Sequence, residues 1–222
     1  MSLGLVDVPD LGSGKTVSDI IADHIRNAIT LGSLDEGEPI RQDDVAQLFN
    51  VSKIPVREAL KSLEAEGLVS FQRNKGAFVT RMSQPEIAEI FEVRAVLEAA
   101  AIGKSVPMMT EASLARAEEF CDAFARAREP LEMSDFNWKF HLCLYGDAQR
   151  PFLLNLIGSV KDRIERYLRM QLTLSDGHET ADREHRQILD ACRAGDASEA
   201  QRLVSEHILG AGTSLLQHLP KR

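Results

Sequence analysis

Three histidines and one asparagine in the C-terminal half of the chain have the side-chain types and the spacing of a metal site. Asn137 and His141 are four residues apart, so on a helix they share one face, one turn from each other. His185 lies near the start of one predicted helix and His207 towards the end of the next. A tight turn joins these two helices, so they should run antiparallel and bring both residues to the same level. Three neutral imidazoles and one oxygen ligand suit a divalent transition metal, zinc or nickel ahead of manganese or iron.

The same spacing also has a plainer interpretation. A histidine on a half-apolar helix face is more often a core or surface residue than a ligand. His24, His178 and His218 show that histidine is ordinary in this chain. Spacing alone therefore leaves both interpretations open. Glu184 is expected to point away from the site, so no general base should accompany the ligands.

A second group of residues has the spacing of a helix that is placed against an anion. The segment VSKIPVREALKSLEAEGLVSF, residues 51–71, begins with Ser52 as a helix N-cap and stops at Gly67. Its apolar residues recur every three or four positions and form one stripe, whereas basic residues fall on the opposite side. The stripe contains Val56, Ala59, Leu60 and Leu63, and the basic side contains Lys53, Arg57 and Lys61.

The segments around this helix predict a winged helix-turn-helix. A short helix over 43–49, with Val45, Ala46 and Leu48 facing inward, precedes it. Two β-like runs, 68–71 and 77–79, follow it and are separated by a turn that carries Arg73 and Lys75. A first helix from Thr16 or Ser18 to about Leu31 completes the core. Its predicted buried stripe is Val17, Ile20, Ile21, Ile25 and Ile29.

Beyond residue 83 every segment reads as helical. Turn signals divide this part into six predicted helices, at 84–105, 110–128, 133–146, 150–174, 179–194 and 196–217. We therefore predict a flexible arm over 1–15, a winged helix-turn-helix domain over 16–82 and an all-helical domain over 83–222. The fold class is mainly α, with an N-terminal winged helix-turn-helix followed by an all-α helical bundle.

Composition limits the partners of the chain. Its 222 residues carry 34 acidic and 26 basic side chains, a net charge of −8, which argues against non-specific coating of nucleic acid. Between residues 52 and 81, however, basic residues outnumber acidic ones, which suits selective docking on DNA. Three scattered cysteines indicate neither a disulfide framework nor a thiolate zinc site, and they fit a reducing cytoplasm. We expect no signal peptide and no membrane partner, since no apolar run is long enough to cross a bilayer.

Residues 39–79 resemble the GntR family of bacterial transcription regulators. The resemblance rests on VSKIPVREAL, the EGL that follows and the glycine-containing wing. It implies DNA contacts by Ser52, Lys53, Arg57 and Gly76, with Lys61, Arg73 and Lys75 on the same basic surface. Three positions depart from the family pattern: Lys53 replaces the usual Arg, Ile54 the usual Thr, and Asp43 an Arg found in many relatives. Lysine cannot make the two-pronged contact with guanine that arginine makes.

Residues 84–216 resemble the FCD-type ligand-binding domain of the FadR subfamily, in its shorter, six-helix VanR-like branch. The segments VRAVLEAAA, N-x-x-x-H and EHRQILDACRAGDASEAQRLVSEHI carry this resemblance. In metal-binding members an Asp or Asn and three histidines hold the ion, which implies Asn137, His141, His185 and His207 here. Asn137 stands in place of the commoner Asp, so the site has one negative charge fewer.

Arg94 lies beside an apolar stripe in FEVRAVLEAA, where a cation needs a partner. From the pattern, the partner is Glu98, one turn along the helix. The resemblance adds a second role, since the equivalent arginine helps to bind a carboxylate effector beside the metal. Arg163, on a later long helix, is a second candidate for that pocket.

These observations predict a homodimeric transcription regulator, and we expect a repressor. Each winged helix would read half of an inverted-repeat operator in double-stranded DNA, while the helical domain dimerises and binds a small carboxylate at the metal. One alternative is a metal-dependent enzyme whose winged helix is a docking module. A second is a helical domain that only dimerises and binds no ligand.

Overall fold

The computed structural model describes residues 14–174 and 176–219. The chain divides into two compact units between Thr80 and Arg81. Most of the predicted arm, residues 1–13, lies outside the described residues. None of the described helices is long and apolar enough to cross a membrane.

The N-terminal unit is the predicted winged helix-turn-helix. Its elements are α1 (Val17–Thr30), β1 (Pro39–Ile40), α2 (Gln42–Phe49), α3 (Lys53–Ala65), β2 (Val69–Gln72) and β3 (Gly76–Val79). The strands form one antiparallel sheet in the order β1-β3-β2. Sequence analysis missed β1, because a two-residue strand shows no periodicity and exists only through its pairing with Phe78 and Ala77.

The buried face of α1 differs from the prediction. Ile21, Ile25 and Ile29 are buried, but Val17 is 50% exposed and Ile20 is 43% exposed. At about 100° of rotation per residue, Ile20 lies about 150° from the centre of the buried face. The adjacent isoleucines at 20 and 21 allow two phases of the stripe, and tertiary packing selects the second.

The prediction that Leu48 faces inward was also wrong, because its side chain is 80% exposed. It follows the buried Ala46 by two positions, which places it about 200° around a helix from that residue. Helix α3 agrees with the sequence: its whole apolar stripe is buried and it ends before Gly67, whose φ is 77°.

The C-terminal unit contains the six predicted helices and no strand among its described residues. They are α4 (Gln84–Ser105), α5 (Glu111–Arg126), α6 (Pro130–Gly146), α7 (Pro151–Leu172), α8 (Gly177–Arg193) and α9 (Ala197–His218), with a 3-10 turn at Val106–Met108. Helix α6 begins three residues earlier than predicted, because Pro130 occupies its first position, where a missing N–H has no cost.

Helices α4 and α9 pack along each other at the centre of this unit. A side chain at Gly212 of α9 would bring its Cβ to 2.7 Å from the ring of Phe91 in α4. The glycine therefore permits the close approach of the two helices. Since Arg94 lies one turn after Phe91 and His207 lies on α9, this contact positions both for the site described below.

The different burial of Leu60 and Leu48 predicts that their substitution affects stability differently. Leu60→Ala, at a fully buried position of α3, should lower the free energy of unfolding by about 2–5 kcal/mol through lost burial and a cavity. Leu48→Ala, at an exposed position of α2, should change it by less than about 0.5 kcal/mol. Urea denaturation of the full chain, followed by circular dichroism, measures both. Equal losses would mean that Leu48 is a core residue.

Candidate functional site

The structure brings three histidines from three helices into one buried cluster. His141 lies on α6, His185 on α8 and His207 on α9, and one nitrogen of each lies within 4.8 Å of those of the others. The ring centroids are 5.0–5.1 Å apart. All three side chains are at most 8% exposed. The antiparallel arrangement of α8 and α9 that the sequence predicts is what places His185 beside His207.

Several nitrogens of this cluster are buried without a hydrogen-bond partner in the protein. They are Nε2 of His141 and both ring nitrogens of His185. Burial, together with the neighbouring imidazole of His207, holds the pKa of His141 and of His185 well below the ordinary value, so both rings are neutral. An unsatisfied buried nitrogen is costly. A metal ion bound by the lone pairs would remove that cost at Nε2 of His141 and at one nitrogen of His185, so the residues present fit a metal.

Hydrogen bonds orient the ring of His141. The Tyr145 hydroxyl lies 2.9 Å from a carboxylate oxygen of Glu98 and donates its proton to it, since a carboxylate only accepts. Burial and the nearby Glu98 raise the pKa of Tyr145 well above its usual range, so the phenol keeps that proton. Nδ1 of His141, 3.1 Å from the Tyr145 oxygen, must therefore be the donor. This leaves the lone pair on Nε2, at the cluster.

The outer end of this chain of hydrogen bonds is a buried ion pair. The Arg94 Nε donates to the second carboxylate oxygen of Glu98 at 2.8 Å, and the two side chains are 5% and 0% exposed. The partner inferred from the i,i+4 spacing is thus present. Tyr145, which joins the pair to His141, was not identified in the sequence. Its signal was the four-residue spacing of Asn137, His141 and Tyr145 on one face of α6.

The prediction that Glu184 points away from the site was wrong. Its carboxylate oxygen lies 2.7 Å from Nδ1 of His207. Successive side chains on a helix diverge by about 100°, so Glu184 leaves α8 beside His185, where α9 passes, and its long side chain spans the gap. Because the carboxylate only accepts, Nδ1 of His207 carries a proton, and the lone pair of the neutral imidazole then lies on Nε2.

A small cavity adjoins the cluster. Its polar lining consists of Arg94, Asn137, Gln171 and His207, and the rest is apolar. Its volume of about 20 Å³ has room for about one water molecule. Gln171 was missed in the sequence, where its signal was a polar residue between Leu168 and Leu172 on the buried face of α7.

Arg163 does not reach this cavity. It is exposed on α7, and it is absent from the described residues that line the pocket. Its positive charge acts on Glu86, whose pKa is lowered mainly by hydrogen bonds with Ser83 and further by the charge of Arg163. Arg163 is therefore not brought to this cavity, and its role in binding an effector stays a prediction. Arg94, in contrast, lines the cavity.

In the N-terminal unit, the predicted DNA-contact residues are all exposed on α3 and the wing. They are Ser52, Lys53, Arg57, Lys61, Arg73, Lys75 and Gly76. A groove of about 700 Å³ runs between the start of α3 and the wing. Gly76, the first residue of β3 beside the wing turn, has a φ of 92°, and a Cβ there would meet no atom within 4 Å, so backbone conformation rather than crowding favours glycine.

Acidic residues also line this groove, and the sequence had singled out one of them. The carboxylate of Asp43 pairs with the ammonium of Lys53, so two departures from the family pattern contact each other. Both side chains are more than 60% exposed, which makes the pair weak. Arg41 and Asp44 line the same groove and were not identified from sequence.

Comparisons with known proteins agree with both halves of this description. Residues 18–79 match the model of bacterial regulatory proteins of the gntR family, and residues 89–210 match the FCD domain. The HTH-type transcriptional regulator YdhC of Bacillus subtilis is 29% identical over 82% of this chain and 84% of its own length. The HTH-type transcriptional repressor RspR of Escherichia coli is 26% identical over 82% of this chain and 81% of its own length.

Solved structures show the same fold. McbR/YncC of E. coli superposes with a TM-score of 0.76 at 21% identity, over 92% of this chain and 98% of that chain. Lar of Listeria monocytogenes superposes with a TM-score of 0.65 at 19% identity, over 94% of this chain and 100% of that chain. The curated relatives are named as transcription regulators, which contradicts the enzyme hypothesis. The chain belongs to the GntR family of bacterial transcription regulators and carries an FCD domain after its DNA-binding domain.

Proposed function

We propose that this regulator binds a divalent metal and a small carboxylate in its helical domain, and that the carboxylate changes its affinity for DNA. One observation carries the proposal. Three buried imidazoles from separate helices converge within 4.8 Å, beside a cavity lined by a guanidinium. Neutral, convergent imidazoles are what a transition metal requires, and they are expensive to bury for packing alone.

The metal would be held by His141, His185 and His207, with the amide oxygen of Asn137 as a fourth ligand. Asn137 supports this assignment because it lines the same cavity as His207 and stands one helical turn before His141. Such a donor set suits zinc or nickel ahead of manganese or iron. When bound, the ion supplies positive charge for an anionic ligand.

Arg94 would bind the carboxylate of the effector. Its Nε is held by Glu98, so the guanidinium is fixed in position, and the hydrogen bond to Glu98 does not use its two terminal nitrogens. The cavity has room for about one water, so even a small organic acid can enter only if lining side chains move. An effector that binds only after this movement favours one conformation of the protein over another. It can therefore change the fraction of molecules that are able to bind DNA.

The winged helix would read DNA through the exposed residues of α3 and the wing, with Arg57 at the centre. We propose that the chain acts as a homodimer on an inverted-repeat operator in the cytoplasm, since two equal domains match two equal half-sites. The name of RspR, a repressor, supports repression as the outcome.

Arg57→Ala tests the DNA-binding assignment. Operator duplexes selected from random sequence with the wild-type protein provide the probe. Loss of a bidentate or phosphate contact should weaken operator binding by about 10-fold or more. Arg128→Ala, which removes the same charge from an exposed site in the helical unit, should bind normally. Fluorescence anisotropy at fixed salt measures both, and normal binding by Arg57→Ala would show that α3 is not the recognition helix.

His185→Ala tests the metal assignment. Untagged protein purified without chelators should contain about one transition metal per chain, and the variant should contain almost none because it lacks a ligand. His218→Ala, at an exposed position on α9, is the control and should keep its metal. Elemental analysis gives the content. A wild-type protein that takes up neither zinc nor nickel on addition would contradict the metal centre.

A further inference from the structure

The proposed metal ligands carry no negative charge. Asn137 offers a neutral amide oxygen, and histidine coordinates a metal through the lone pair of its neutral imidazole. A divalent cation taken from water into this buried site therefore keeps both of its charges. Burial of an unbalanced charge is unfavourable, so some nearby anion must balance it.

Two carboxylates are linked to the imidazoles by hydrogen bonds, one directly and one through a tyrosine, and they differ in what else they bind. Glu98 lies behind His141 through Tyr145, but its other oxygen is bound to the Arg94 cation at 2.8 Å, so its charge is already balanced. Glu184 contacts His207 directly, at 2.7 Å between its Oε2 and Nδ1. Of the two, Glu184 is the one whose hydrogen bond ends on a proposed ligand.

We propose that Glu184 is a positioning residue for the metal, and that it supplies from outside the ligand shell the negative charge that Asn137 does not provide. The inference rests on the proposed metal site. The carboxylate holds His207 as the Nδ1–H tautomer, which turns the Nε2 lone pair to the cluster, and it makes that imidazole a stronger donor. Two adjacent residues of α8 thus act at the site. His185 is a proposed ligand, and Glu184 orients a second proposed ligand, His207 on α9.

Glu184→Gln separates charge from shape. The amide is nearly isosteric, but it is neutral and can either accept from Nδ1 or donate to it, so it no longer dictates the tautomer. The dissociation constant for Zn²⁺, from competition with a chromophoric chelator, should rise by about 10- to 100-fold. Glu184→Asp keeps the charge and should recover part of the loss.

Glu179→Gln is the matched control. It makes the same chemical change on the same helix, at an exposed residue. If Glu184 acted only through the total charge of α8, this variant would weaken Zn²⁺ binding as much as Glu184→Gln does. We expect its dissociation constant to stay within about 2-fold of the wild type, because an exposed charge is screened by solvent.

A second readout needs no metal. Nitrogen-15 shifts of the imidazoles in metal-free wild-type protein at pH 8 should show His207 as the Nδ1–H tautomer, and Glu184→Gln should show a mixture. A role in packing alone would leave the tautomer unchanged. The Nε2–H tautomer in the wild type would overturn the inference without any variant.

The outcomes separate the two proposals. If the wild type binds no Zn²⁺, the metal centre is wrong and this inference falls with it. If the wild type binds Zn²⁺ and Glu184→Gln binds it equally well, the metal centre stands and the inference is overturned.

Discussion

The main physical constraint on the C-terminal unit is the burial of three imidazoles, two of which, His141 and His185, have ring nitrogens without a hydrogen-bond partner in the protein. Nδ1 and Nε2 of His185 and Nε2 of His141 are each buried with no protein partner, beside a large core of apolar side chains. Such groups cost free energy wherever they are left alone. Three helices nevertheless place them together, which is understandable if the cluster exists to bind an ion and not to pack.

Residues outside the cluster orient two of its three imidazoles. Tyr145 and Glu98 fix His141, and Glu184 fixes His207, and each contact leaves an Nε2 lone pair at the centre. Glu98 also binds Arg94, which lines the neighbouring cavity. A carboxylate that engaged Arg94 would therefore act on a side chain that is three hydrogen bonds away from His141, through Glu98 and Tyr145. Effector and metal would share one buried network, which is a physical route for coupling between them.

Much of this arrangement could be predicted from the sequence, because local rules decide it. The four-residue spacing of Asn137 and His141, and the tight turn between α8 and α9, place the histidines without any knowledge of packing. Other features depend on distant partners. β1 exists only where Phe78 pairs with it, the phase of α1 is selected by its neighbours, and the reach of Glu184 depends on how closely α9 passes α8. The small volume of the cavity likewise follows from packing.

Anomalous diffraction is the direct test of whether the imidazole cluster is a metal centre. Crystals of the metal-loaded protein would be measured at the absorption edge of the bound ion. We expect one strong peak per chain among His141, His185 and His207, at about 2.0–2.1 Å from a nitrogen of each. Loaded crystals with no peak there, or with peaks only at surface histidines such as His218, would contradict it.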